Sequence, residues 1–303
     1  MAKILITGAA GMIGSSTSKK LVELGHTVIG IDINLNTKPM TNVVYGDIRD
    51  MKDLEKNIED VDGVIHLAAV SRVIFAQNNP ELCFDTNIVG SNNVVRSALS
   101  SSKKPWLIYA SSREVYGASD VLPVSENFAL NPVNIYGKSK LAAELSFDAA
   151  NHAGLKSAIV RFSNVYGWTE DHETRVIPAF LRASIKNDKL YVEGTDNTFD
   201  FVHISDATAG LIKVVEYMES EKTAFPKIHF VTGQATTLLE LANKCVQIAG
   251  SGEIEMAPSR TFDVGKFYGN PSRAKEILGW DAKIQLSDGL KMFHEELKNR
   301  LLY

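Results

Sequence analysis

The sequence predicts an α/β protein: a doubly wound parallel sheet with a smaller, mixed α/β lobe. Short apolar runs alternate with helix-length amphipathic stretches through the first half of the chain. A glycine-rich turn, Gly8-Ala-Ala-Gly11-Met-Ile-Gly14, joins the first apolar run to the first helical stretch. A second apolar run ends in an acid, Asp32, 18 residues after Gly14.

The elements follow in order. Ile4, Leu5 and Ile6 form a buried strand, and a helical pattern covers 12–24. Strand, glycine turn and helix together receive a dinucleotide pyrophosphate. The glycines let the backbone approach the phosphates, and the helix N-terminus offers unpaired N–H groups and a partial positive charge. Gly8, Gly11, Met12, Ile13 and Gly14 are the residues placed to do so; their spacing is GxxGxxG rather than the common GxGxxG. The second strand is 27–32. An acid at its end accepts hydrogen bonds from ribose hydroxyls and repels a 2′-phosphate, so Asp32, with Ile33 beside it, favours NAD over NADP.

A polar loop then leads to a short strand at 42–45, and Gly46-Asp47-Ile48 opens a loop into a helix at 51–59. The strand at 62–67 ends at Leu67 and is followed by Ala68-Ala69, small residues that let a flat ring lie against the backbone. A long helix at 80–100 carries Asn87 and Gly90 on one face. A strand at 105–110 delivers Ser111 and Ser112 at its end, a helix spans 134–152, and a strand covers 156–161. Strands separated by helices of this length pair in parallel, with the site beyond their carboxyl ends.

The second half is less regular. Helices are expected at 175–186, 206–220, 237–249, 272–278 and 287–302, a short strand at 189–193, and a strand at 227–231 that can join the main sheet. The expected division is 1–165 with about 199–232 for the dinucleotide-binding domain, and about 166–198 with 233–303 for the lobe that closes over it.

Composition narrows the function. A net charge of −4 without any Lys/Arg cluster argues against a nucleic-acid surface. No apolar run approaches the roughly 18 residues of a membrane span, and the N-terminus enters a strand directly, without a signal-peptide pattern. Cys83 and Cys245 fall in apolar helical patterns, as reduced core residues of a cytoplasmic protein do, and no metal site is expected.

The chemistry centres on Tyr136-Gly-Lys-Ser-Lys140, which puts a phenol and an ammonium on one helical face. A free tyrosine titrates near pH ~10; a neighbouring cation is expected to lower that value. Such a tyrosine can take a proton from a sugar hydroxyl as hydride leaves the same carbon, and return it in the reverse step. Lys140 can also hold the nicotinamide ribose, and Ser112 can hydrogen-bond the reacting oxygen.

Taken together, Gly8/Gly11/Gly14, Asp32, Asn87/Gly90, Ser112 and Tyr136/Lys140 resemble the extended short-chain dehydrogenase/reductase family, in the branch of NAD-dependent nucleotide-sugar epimerases and dehydratases with a Rossmann-like sheet. Gly46-Asp47-Ile48, His66-Leu67-Ala68-Ala69, Asn87-Ile-Val-Gly90, Arg161-Phe-Ser-Asn164-Val-Tyr-Gly167, the segment from Asp200 to Asp206, and Leu278-Gly-Trp280 extend the resemblance over nearly the whole chain. The resemblance implies a nucleotide-sugar-binding second lobe, with Asn164 and Arg260 at the diphosphate, Arg175 and Val176 at the nucleotide, and Tyr191 bordering the base. It also implies a homodimer. The implied activity is a 4-epimerase of UDP-glucose/UDP-galactose or UDP-glucuronate type, working through a 4-keto sugar. A dehydratase, decarboxylase or ketoreductase of the same family, or a non-catalytic NAD-sensing protein, are the alternatives.

Two positions depart from the family pattern. Phe199 stands where relatives usually have a phosphate-binding arginine, and Arg113 stands where 4,6-dehydratases have their acid. Glu114 remains, in the position of the carboxylate that dehydrating and decarboxylating relatives use.

Overall fold

The structure is a computed structural model that describes residues 1–35, 43–220, 225–262 and 264–302. Strand β1 (Lys3–Thr7) leads through the glycine turn into α1 (Met12–Glu23), then β2 (Thr27–Asp32) and β3 (Val43–Tyr45). Asn42, expected to begin β3, lies outside the described residues. Next come α2 (Met51–Ile58), β4 (Gly63–His66), α3 (Val73–Asn78), α4 (Pro80–Phe84), α5 (Ser91–Ser100), β5 (Trp106–Ser112), α6 (Ile135–His152) and β6 (Ser157–Phe162).

After β6 the chain leaves the sheet. It forms β7 (Asn164–Tyr166), α7 (Val176–Ile185), β8 (Lys189–Glu193), β9 (Thr198–Phe199), β10 (Phe201–His203) and α8 (Ile204–Ser220), then returns as β11 (Ile228–Phe230). The remaining elements are β12 (Thr236–Thr237), α9 (Leu238–Ala249), β13 (Glu253–Ala257), α10 (Ser272–Leu278) and α11 (Leu286–Leu302).

The main sheet has seven parallel strands in the order β11-β6-β5-β4-β1-β2-β3. The chain builds outward from β1 to β3, then restarts at β4 on the other side. That reversal opens a crevice above the carboxyl ends of β1 and β4, where α/β sheets bind ligands.

Period-2 alternation fills both faces of the sheet. Ile4, Ile6, Ile65 and Ile108 share a core with Leu21 of α1 and Leu211 of α8. Leu5, Val64, Leu107 and Tyr109 pack instead with Leu54 of α2, Val94 of α5 and Phe147 of α6. A separate core, including Leu181, Leu190, Val192, Leu241 and Phe293, lies among α7, β8, α9 and α11. The segment around Trp280 is tied back to the sheet: its indole N–H donates to the Asp206 carbonyl at 3.0 Å, and the Ile284 amide donates to the Asp206 carboxylate at 2.9 Å.

The expected helix at 80–100 is interrupted. A π-helical turn, Asp85–Gly90, separates α4 from α5, and α3 precedes both. A π turn inside a helix has no composition signal of its own, so the sequence pattern does not mark it. Strand β5 also runs to Ser112, so Ser111 and Ser112 are strand residues rather than a following loop.

Candidate active site

The crevice begins at the glycines. Gly8 has φ +72°, and a Cβ there would lie 2.6 Å from the Ala68 nitrogen; one on Gly14 would lie 2.2 Å from the Gly8 oxygen. These two glycines are required by the protein's own packing. Gly11 is different: a Cβ would meet nothing nearer than the Gly8 oxygen at 3.4 Å, so the space in front of it is open. Beyond Gly11, α1 starts at Met12 and Ile13 with no side-chain cap and no acidic residue in its first turn, which leaves its N–H groups to an anion. This cradle fits a dinucleotide diphosphate.

Asp32 is fixed at the end of β2: its carboxylate accepts from the Ala10 amide at 3.0 Å and the Asn34 amide at 2.9 Å. Ile33 beside it is exposed. Across the crevice, the Leu67 amide donates to the Thr7 carbonyl at 3.1 Å, and the Ala68 amide to Thr7 Oγ1 at 3.2 Å. Ala69 follows, partly exposed.

Asn87 sits in the π turn and is 1% exposed. Its Oδ1 accepts from the Val70 amide at 2.7 Å, while its Nδ2 donates to the Val70 carbonyl at 3.1 Å and to Ser139 Oγ at 2.9 Å. It clamps the loop after β4. Gly90 makes room for Ile48, whose Cδ1 would lie 2.6 Å from a Cβ at that position. Asp47 turns to Arg49 at 2.6 Å, which holds its carboxyl below the usual carboxylate range.

The reactive groups come from β5 and α6. Asn134 caps α6 by accepting from the Gly137 amide at 2.8 Å. Gly137 lets the helix approach the turn after β5; a Cβ would lie 2.6 Å from the Glu114 carbonyl oxygen. This close approach brings Tyr136 beside Ser112, whose hydroxyl favours the ionised phenol. Ser112 Oγ accepts from the Glu114 amide at 3.2 Å, which leaves its own O–H to donate.

One turn along α6, Lys140 is 3% exposed and donates to the Ala110 carbonyl at 2.8 Å. Burial lowers it to about 8. The expectation that the lysine lowers Tyr136 is corrected here. Burial pushes the phenol up to about 12, against the pull of Ser112 and Arg175. The Lys140 ammonium is 5.9 Å from the Tyr136 ring centroid and faces Ala110, so desolvation wins. A low tyrosine pKa is not a property of this chain alone.

Glu114 has both oxygens engaged. Oε1 pairs with Arg113 Nη2 at 2.8 Å, and Oε2 accepts from Asn134 Nδ2 at 2.8 Å. The Arg113 guanidinium lies over the Phe199 ring, 4.7 Å from its centroid. Arg175 stands at the start of α7, just before Val176, without a side-chain cap; it pairs with Asp171 at 3.4 Å, donates to Ser71 at 3.3 Å, and its charge reaches Tyr136. Asn164 donates to the Asp200 carbonyl at 3.3 Å. Tyr191 and Arg260 are exposed, the latter paired with Glu193 at 3.6 Å.

Ser112, Glu114, Tyr136, Lys140 and Arg175 are thus brought together. Sequence reasoning missed Asn134 and Gly137, although an Asn three residues ahead of a helical amide is a readable cap signal. It also missed Asp171 and Ser71, which no motif marks. Among the described residues no cluster of His, Cys, Asp and Glu could hold a metal, and no helix is long and apolar enough to cross a membrane.

A doubly wound sheet with an open diphosphate cradle, and a serine–tyrosine–lysine group at the ends of β5 and α6, defines a nicotinamide-dependent enzyme of the extended short-chain dehydrogenase/reductase class. Residues 4–228 match the NAD dependent epimerase/dehydratase family, and the chain belongs to it. It is 31% identical over 306 residues to UDP-glucose 4-epimerase of Lacticaseibacillus casei, covering 91% of both chains. It is 29% identical over 320 residues to UDP-glucuronic acid decarboxylase 3 of Arabidopsis thaliana, covering 99% of this chain and 90% of that one. The crystal structure of UDP-glucose 4-epimerase from Thermotoga maritima with UDP-glucose superposes with a TM-score of 0.91 at 28% identity, covering 99% of this chain and 100% of that one. The cofactor of the family is NAD.

Proposed function

We propose that this enzyme is a UDP-sugar 4-epimerase that retains NAD through its cycle. The observation that carries the reading is the meeting of Ser112 with the Tyr136 phenol. NAD, when bound, would supply the acceptor and donor for the C4 hydride of the sugar. Tyr136 takes the proton of the C4 hydroxyl and later returns it. Ser112 donates to that oxygen and holds it in place. The 4-keto sugar turns over between the two events.

For the cofactor, Gly8, Gly11, Met12, Ile13 and Gly14 would hold the diphosphate, and Asp32 and Ile33 the adenosine. Asp47, Ile48, Leu67, Ala68 and Ala69 would line the crevice, with Asn87 as a positioning residue for that wall. Lys140 would hold the nicotinamide ribose. For the substrate, Asn164, Arg175, Val176, Tyr191 and Arg260 would hold the nucleotide. The lobe built of about 166–198 and 233–303 would close over the domain of 1–165 and about 199–232.

Dehydration would need a free carboxylate to take the C5 proton of the sugar. The engagement of Glu114 by Arg113 and Asn134 favours epimerisation and gives Glu114 a positioning role. Exposed Leu82 and Val89, with Leu145 of α6, support a homodimer through these helices. A cytoplasmic site suits an enzyme of sugar nucleotides.

The test is NMR of the purified protein with UDP-glucose and UDP-glucuronate, without added cofactor. The C4 epimer of either is the expected product. A keto or decarboxylated sugar overturns the epimerase reading.

A further inference from the structure

We propose that Arg113 receives an oxyanion of the bound nucleotide sugar on its free Nη1 N–H, and so sets which sugar nucleotides the enzyme accepts. The inference rests on the UDP-sugar reading above.

Arg113 is 8% exposed. Its Nη2 is paired with Glu114, but its Nη1 is buried with no hydrogen-bond partner among the described residues. A buried guanidinium N–H left without an acceptor is costly, and native structures avoid it unless something outside the chain completes the site.

Among the described residues the surroundings do not supply that acceptor. The guanidinium carbon is 4.7 Å from the Phe199 centroid and 5.5 Å from that of Phe267. Aromatic faces attract the cation but offer no lone pair to an N–H. They do exclude water, which strengthens any charge contact made there. The guanidinium is also held in place: Glu114, which grips Nη2, is anchored by Asn134 at the start of α6.

Position decides what the acceptor is. Arg113 follows Ser112 directly in the chain, and its partner Glu114 is held at 2.8 Å by Asn134, the cap two residues ahead of Tyr136. The free N–H therefore belongs to the pocket in which Ser112 and Tyr136 handle the sugar. A planar, permanently charged fork suits a carboxylate or a phosphate oxygen. On a nucleotide sugar that oxyanion is either the carboxylate of a uronic acid or a non-bridging oxygen of the diphosphate. It is the cation that Phe199 cannot provide, delivered from the turn after β5 instead.

The experiment is calorimetric titration of NAD-loaded protein with UDP, UDP-glucose and UDP-glucuronate. It compares the wild type with Arg113→Lys, Arg113→Gln and the Arg113→Gln/Glu114→Gln double variant. The double variant leaves no uncompensated buried carboxylate and keeps the test open if Arg113→Gln does not fold. If the diphosphate is the oxyanion, both Gln-bearing proteins lose at least about tenfold in affinity for all three ligands. If a sugar carboxylate is, UDP-glucuronate alone loses that much. Arg113→Lys falls between, since it keeps the charge without the fork. Affinities within about twofold of wild type for all three ligands, in a variant that melts normally, overturn the assignment. A wild type that binds none of the three overturns the UDP-sugar reading instead.

Discussion

Lys140 donates from Nζ to the carbonyl oxygen of Ala110 at 2.8 Å, and this contact fixes where its charge sits. Burial lowers the ammonium from 10.5 to about 8. A group whose folded pKa is depressed binds its proton less well when folded, so the charged lysine costs stability below pH about 8, and the cost fades between about 8 and 10.5. Lys140→Met is expected to stabilise the cofactor-free protein by about 1–3 kcal/mol at pH 7 while abolishing turnover. Thermal melts at pH 7 and pH 10 check this: the gain should shrink at the higher pH.

Tyr136→Phe removes the proposed proton carrier and leaves the helix intact. Turnover should fall by at least about 100-fold, while the NAD released on denaturation stays at the wild-type amount. Full activity in this variant would refute the proton-transfer role.

The glycines should separate by function. Gly14→Ala drives a methyl into the Gly8 carbonyl, 2.2 Å away, and is expected to cost at least about 2 kcal/mol in denaturant unfolding. Gly11→Ala meets only ordinary contact within the protein at 3.4 Å. Its cofactor-free stability should stay within about 0.5 kcal/mol of wild type, while NAD dissociates more readily on gel filtration.

Arg161 and Glu144 form a fully buried pair, with Nε to Oε1 at 2.8 Å and Nη2 to Oε2 at 2.7 Å. Ser111 Oγ joins the same carboxylate at 2.6 Å, which steadies the strand end carrying Ser112. Arg161→Met alone should cost about 3–5 kcal/mol, because it leaves the buried Glu144 carboxylate only the partly exposed Lys227 ammonium, 3.6 Å away, as a counter-charge. The double variant Arg161→Met/Glu144→Met should recover much of that loss in urea unfolding.

His66 is held between Thr7 at 2.7 Å and Ser91 at 2.9 Å. Burial depresses it from 6.5 to about 3. The unfolded chain takes up this proton first, so stability falls as pH drops from 6.5 towards 3, by up to about 1.4 kcal/mol per pH unit. His66→Gln should flatten that limb of the melting curve between pH 6.5 and 4.5.

Much of this molecule is readable in the chain because its rules are local. Ile4, Leu5 and Ile6 announce a buried strand by composition, and Gly8 and Gly14 are demanded by backbone geometry at a turn of fixed shape. Tyr136 and Lys140 share a helix face by spacing alone. The unreadable parts depend on contacts between distant segments. Nothing near Arg113 in sequence reveals the rings of Phe199 and Phe267, and nothing near Asn87 reveals Val70. The protonation of Tyr136 is hidden for the same reason: spacing sets the distance to Lys140, but burial and the Ala110 carbonyl set the outcome.

The late return of β11 has a consequence for how the protein is made. Its partner β6 ends at Phe162, yet Phe230 must leave the ribosome before that edge can be covered. For the synthesis of some 70 intervening residues, the nascent chain carries an open strand edge in a run that is buried at every position when complete. A growing chain of this kind is a natural client for a chaperone, and a premature stop between β6 and β11 would leave a fragment prone to aggregate rather than a small working domain.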